Sequence, residues 1–277
     1  MDLKRLRAGR LARLQNAMCR HDIEACLLFN EPNIRYATGA SAMPVWSNTT
    51  FVRCALVPAE GVPILFEHPN SMHLFGELEA HVSPMHTWEF YDDVGSHSAI
   101  FAHEAVAAMR ELGVTDDRLA IDRLGTPGFL ALQAAGVSIL DSAPITMEAR
   151  EIKTPEELEL LAMGGEVVME MLGNFEAAIR PGISERELLA VLAGTLLEGG
   201  GEHLATNTVC SGPNTNPWRA EATDRALERG DLVYVDTDSV CQGATSSASR
   251  GHSRAAMPPQ NESNVKRIER PTNGSGR

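Results

Sequence analysis

Apolar residues recur at helical spacing over 3–20, at Leu3, Leu6, Leu11, Leu14 and Met18, with arginines between them. Asp22 to Phe29 reads as a turn followed by a buried strand. Strand-like runs follow at 51–57 and 62–67, then a helix at 98–112, a strand at 118–122, a helix at 126–135 and a strand at 137–140. Strands that alternate with helices predict a layered α/β domain, here over residues 1–148.

The pattern changes at Arg150-Glu-Ile-Lys-Thr-Pro-Glu-Glu157. Thr154 suits an N-cap, Pro155 the first helical position and Glu157 the far end of a capping box. The predicted helix carries Leu158, Leu161, Met163, Val167, Met171 and Leu172 and stops near Pro181-Gly182. Ser184-Glu-Arg-Glu187 repeats the signal and starts a helix through Leu197, which three glycines end. Thr206–Cys210 reads as a strand and Ser211–Trp218 as a loop.

Gly230-Asp-Leu-Val-Tyr-Val-Asp-Thr-Asp238 predicts a buried strand that ends in two aspartates. Strand residues two apart project to the same side, so Asp236 and Asp238 share a face. Adjacent carboxylates on an apolar strand repel and lose hydration, and a hard divalent cation between them relieves both costs. The plainer alternative is a strand running out into a solvated acidic turn.

Composition adds limits. A chain of 277 residues with 43% hydrophobic and 22% charged residues is ordinary for a globular protein of one or two domains. A net charge of −13 argues against nucleic acid and anionic membranes as partners. No apolar run approaches the ~18 residues of a membrane span. The five cysteines form no Cys-x-x-Cys pair, which fits free thiols in a reducing cytoplasm. His81, His86, His97 and His103 lack the spacing of a zinc site, and Cys210 has no base near it in sequence.

From residue 241 the character shifts again. The last 37 residues contain no Leu, Phe, Tyr or Trp and carry six Lys/Arg against two Glu, while the first 240 sum to −17. Residues 241–277 are expected to be a disordered tail.

Taken in order, Asn33-Ile-x-Tyr-x-Thr-Gly39, Ile152-Lys-Thr-Pro-Glu-Glu157, Ser211-Gly-Pro-Asn214 and Val235-Asp236 resemble the creatinase–prolidase ("pita-bread") metalloenzymes over about residues 10–240. The resemblance implies an α/β fold: a creatinase-like domain over 1–148, then the first half of a pita-bread catalytic domain over 149–240. Within the family, Asn214-Thr-Asn-Pro-Trp218 and Asp236-Thr-Asp238 are similar to the dimethylsulfoniopropionate lyases of the DddP type. Such a lyase holds two divalent metals, iron first with manganese or zinc as alternatives, and releases dimethyl sulfide to leave acrylate. Asp236 and Asp238 are then expected as metal ligands. Trp218, Asn214, Trp46 and Tyr36 are expected around a small-molecule substrate whose sulfonium an aromatic face would hold by ~0.5–2 kcal/mol. Core or interface packing is the plain alternative for the aromatics, and the stronger one for Tyr36 and Trp46.

A homodimer is also expected, in the cytoplasm to which the cysteines point. The resemblance leaves open an Xaa-Pro peptidase or related amide hydrolase, and a non-catalytic fragment that only dimerises. The family's next aspartate would fall at position 248, which is Ala248, and no acidic residue lies between Asp238 and Glu262. The 277-residue chain is therefore expected to be truncated and inactive and to retain no pair of metals. A reading-frame change after Val240, vector-derived residues or a misjoined exon would account for the tail.

Overall fold

A computed structural model describes residues 1–41, 53–74, 78, 80–84, 94–241 and 244–252, with the backbone alone for 70, 74, 94–96 and 244–252. The chain divides into two compact units, parting between Ala162 and Met163.

The first unit opens with α1 (Leu3–Arg20), capped by Asp2, whose carboxylate accepts from the Arg5 N–H at 3.0 Å. Six short strands follow: β1 (Ala25–Leu28), β2 (Cys54–Pro58), β3 (Ile64–Glu67), β4 (His81–Pro84), β5 (Arg118–Ile121) and β6 (Ser138–Asp141). They form one sheet in the order β4-β3-β2-β1-β5-β6. The β1–β2 and β2–β3 pairs run antiparallel and the other three parallel.

Alternation along these strands feeds two cores. Cys26 and Leu28 of β1, with Ala55 and Val57 of β2, pack with α1, α2 (Glu31–Thr38) and α5 (Ala143–Glu151). Ala25, Leu27, Cys54 and Leu56 pack on the other side with Phe101 of α3 (Val94–Glu111) and Leu132 of α4 (Thr126–Ala134). Each fully buried leucine contributes about 1.5–3 kcal/mol.

In the second unit, α6 (Pro155–Ala178) and α7 (Glu185–Glu198) cover a sheet of β7 (His203–Ser211), β8 (Val233–Cys241) and β9 (Ala244–His252) in that order. Met171, Leu172 and Phe175 of α6 meet Leu188 and Leu192 of α7 and Val209, Val233 and Val235 of the sheet.

The compact units part inside α6, whose first turns are tied to α1. Arg10 pairs with Glu157 at 2.9 Å, Arg5 with Glu156 at 2.7 Å and the Met1 amine with Glu159 at 3.4 Å. Asn33–Gly39 forms the body and cap of α2, closed by Gly39 at φ 76. The tail expected to be disordered from residue 241 is corrected at its start: Cys241 ends β8, and residues 244–252 form β9. Ladder bonds are made by main-chain groups, so a Ser/Thr-rich stretch can occupy the open edge of β8. Among the described residues no helix is long and apolar enough to cross a membrane.

Candidate functional site

Along β8 the side chains alternate as a half-buried strand should. Val233, Val235, Thr237 and Ser239 are buried, while Tyr234, Asp236 and Asp238 are half-buried on the other face. The antiparallel register sets Thr208 opposite Asp236 and Thr206 opposite Asp238. The Thr206 hydroxyl donates to Asp238 Oδ2 at 2.5 Å, and the Thr237 hydroxyl donates to the Thr206 carbonyl at 3.1 Å. The Asp238 carboxylate is thus aimed by a neighbouring strand, with Asp236 beside it on the same face.

Two carboxylates begin a divalent-cation site without completing one, since hard ions take about six oxygen ligands. Among the described residues no three His, Cys, Asp or Glu side chains converge as a metal requires. These residues therefore do not by themselves fit a two-metal centre.

The loop from Ser211 to Val233 leaves and re-enters the sheet where these two residues pair, three positions before Asp236. Its anchor is Glu185, the first residue of α7, which is 0% exposed. Glu185 Oε1 accepts from the Ser211 N–H at 2.7 Å, the Ser211 hydroxyl at 2.8 Å and the Asn214 amide at 3.0 Å. Oε2 accepts from the Thr223 N–H at 2.9 Å, the Thr223 hydroxyl at 2.5 Å and the same Asn214 amide at 3.2 Å. Burial acts to raise this carboxyl's pKa, but the bonds from Thr223, Asn214 and Ser211 prevail and hold it below the ordinary glutamate value. In return, the Glu185 and Arg186 N–H groups donate to the Arg225 and Thr223 carbonyls. Arg225 adds a bond to the Ser211 hydroxyl at 2.8 Å and a two-pronged contact with Asp231 at 2.6 and 3.0 Å. Position 212 suits glycine, since its φ is 49 and a Cβ there would run into Asp231 and Arg225.

Asn214, expected as a substrate contact, thus has its amide nitrogen committed to the anchor. Trp218 is 57% exposed, on a turn where it bridges to Thr215. Trp46 lies outside the described residues. Tyr36 is a core residue, a correction to its expected place beside substrate. Its hydroxyl donates to the Ala149 carbonyl at 2.9 Å, and the Arg10 guanidinium lies 5.5 Å from its ring centroid. A cation is already seated on the ring, and burial pushes the phenol up to about 12. Cys210 is buried, which raises its thiol and leaves it poorly nucleophilic.

Nothing in the sequence reading singled out Glu185. A signal was present: Ser184-Glu-Arg-Glu187 places acids at both the first and third helical positions, whereas the capping box uses only Glu187, at 2.8 Å from the Ser184 N–H.

Residues 10–152 match the creatinase/prolidase N-terminal domain, about half of the chain. The chain belongs to the creatinase/prolidase family. Residues 159–262 match metallopeptidase family M24, so the two family regions meet around the start of α6. Among curated relatives of this pita-bread family member, the dimethylsulfoniopropionate lyase DddP of Roseovarius nubinhibens is 32% identical over 86% of this chain and 55% of its own length. The DddP lyase of Roseobacter denitrificans is 30% identical over 86% of this chain and 56% of its own. The chain thus spans about half the length of the curated relatives it matches. A solved prolidase from Thermococcus sibiricus superimposes with a TM-score of 0.70 at 24% identity, covering 91% of this chain and 65% of that one. That likeness concerns the fold: a creatinase-like α/β domain followed by pita-bread elements.

Proposed function

We propose that this chain belongs to a metal-dependent lyase that cleaves dimethylsulfoniopropionate to dimethyl sulfide and acrylate. The observation that carries the reading is Trp218: a large indole left 57% exposed on a loop whose two flanks are pinned by one buried carboxylate. Exposing an indole costs hydrophobic burial, and a rigid exposed aromatic face suits a sulfonium cation, worth ~0.5–2 kcal/mol per ring. The similarity to two DddP lyases over 86% of the chain supports the same reading.

Asp236 and Asp238 are the positions proposed to supply metal ligands, with Thr206 orienting the second. Two carboxylates hold a divalent ion poorly, so the 277-residue chain by itself is proposed to be inactive. Iron is the proposed metal, and a cytoplasmic homodimer the proposed state of the complete enzyme.

The second reading, an Xaa-Pro peptidase, is favoured by the M24 match and the prolidase-like fold. Headspace detection of dimethyl sulfide together with acrylate, against proline release from a Gly-Pro dipeptide, separates the two in protein supplied with ferrous, manganese or zinc ions. Proline without dimethyl sulfide overturns the lyase reading. Two tightly bound metal ions per chain, measured by elemental analysis, overturn the inactive one.

A further inference from the structure

We propose that Glu185 is a positioning residue that presents Trp218, although it lies twenty-six residues from the loop's nearest edge in sequence and touches no ligand. For its binding arm the inference rests on the proposed role of Trp218; its ordering arm does not.

The argument is one of shared acceptors. A loop of some twenty residues between antiparallel strands loses conformational freedom when it is held, and something must compensate. Here the two flanks of the Trp218 turn converge on opposite oxygens of a single carboxylate. Ser211 takes Oε1, Thr223 takes Oε2, and the Asn214 amide bridges both at 3.0 and 3.2 Å. All the hydrogens point inward, so the acceptor must be anionic and hydrogen-free on both oxygens. Gln at 185 has the same shape but turns one oxygen into a donor that faces donors. One flank must then release, and the residues between 214 and 223, Trp218 among them, lose a fixed end. Helix α7 does not share this dependence, since its N-cap is the separate Ser184–Glu187 box.

The test uses the full chain labelled with fluorotryptophan, the Trp218 resonance being assigned by its loss in Trp218→Phe. Glu185→Gln is compared with Glu187→Ala, which removes the side chain that bonds Ser184 in the capping box and leaves every Glu185 oxygen contact in place. In Glu185→Gln, amide exchange at Ser211 or Thr223 is expected to rise about tenfold or more, as loss of a buried acceptor implies. The Trp218 fluorine line is expected to shift and broaden, while amides deep in α7 (Leu192, Leu196) stay protected. Glu187→Ala is expected to leave the loop amides and the fluorine line as in wild type. An unchanged loop in folded Glu185→Gln overturns the proposal, and so does the same loosening in Glu187→Ala, because the effect would then belong to the helix end.

Should Glu185→Gln not fold, Thr223→Val removes one hydroxyl donor and keeps the carboxylate. It is expected to loosen the Thr223 flank alone, and an unaltered Thr223 amide overturns the proposal. Titration with dimethylsulfoniopropionate supplies the binding arm: the wild-type Trp218 line moves, and Glu185→Gln binds at least about tenfold more weakly, following its loop order. A wild-type line that ignores the ligand sinks the proposed function and leaves the exchange result to decide on Glu185.

Discussion

The two units spend their polar motif residues differently. In the first, each is consumed by architecture. Asn33 donates to Asp122 at 2.9 Å and accepts from Arg150 at 3.1 Å, Thr38 bonds the Ile34 carbonyl at 2.8 Å, and Tyr36 is closed off by Arg10 and Ala149. In the second, Ser211 and Asn214 are consumed in the same way, but Trp218, Asp236 and Asp238 keep part of their surface open. Family motifs therefore mix two kinds of residue, and the distinction lies in whether the polar atoms already have partners. Where every partner is internal, a substitution is felt as stability; where surface is left over, it is felt as chemistry.

The largest expected effect that could break this comparison is in the first unit. Arg10→Ala leaves Glu157 buried without its cation, with both side chains only 8% exposed, and is expected to cost about 3–5 kcal/mol in denaturant unfolding. A cost under 1 kcal/mol would mean that the motif residues there are not architectural. Next comes Gly39→Ala, which forces a left-handed φ of 76 on an L-residue whose Cβ meets the Arg7 side chain at 2.6 Å. It is expected to cost about 1–2 kcal/mol, and an unchanged melting temperature would contradict the close approach.

Acid gives a reversible contrast. Burial raises the Asp122 and Glu67 carboxyls above their ordinary values of 3.8 and 4.5, despite the hydrogen bonds and cations that oppose it. The first unit therefore gains from their protonation as pH falls through those raised values. Glu185 is held below 4.5, so its contribution is complete above about that pH and is lost as pH falls through the lower folded value. Carboxyl-carbon NMR titration is expected to put Asp122 above and Glu185 below their ordinary positions, and the reverse order would undo the contrast. The smallest stability effect is expected at Trp218→Ala, within about 0.5 kcal/mol because the ring is mostly exposed. Sulfonium binding, followed by calorimetry, should nevertheless be lost; a large drop in stability would move Trp218 to the architectural side.

Much of the fold was legible because periodicity and caps are local. The capping boxes at Thr154–Glu157 and Ser184–Glu187 both form, and the predicted helices over 98–112 and 126–135 lie within a few residues of α3 and α4. What escaped depends on distant partners. β4 is four residues with no apolar run at the sheet edge, and β9 has only main-chain reasons to be a strand. Neither α2 nor α5 was predicted, although each has proline in its first turn. In the candidate site, the shared face of Asp236 and Asp238 follows from strand alternation alone. Glu185 does not, because one glutamate in a helix's first turn looks like any other until the loop folds onto it. Tyr36 shows the converse: core packing is the stronger reading of it from sequence, but its partner Arg10, twenty-six positions earlier in the chain, emerges only from the fold.

Glu157 accepts from the Thr154 N–H with one oxygen and from Arg10 with the other. Direction of chain and balance of charge are thereby entrusted to one side chain, which narrows what mutational drift can accept at this site. Gln could still begin the helix yet strand a guanidinium in the interior, and Asp is too short to serve both neighbours. Any lineage that varies position 157 should be found to have changed position 10 as well.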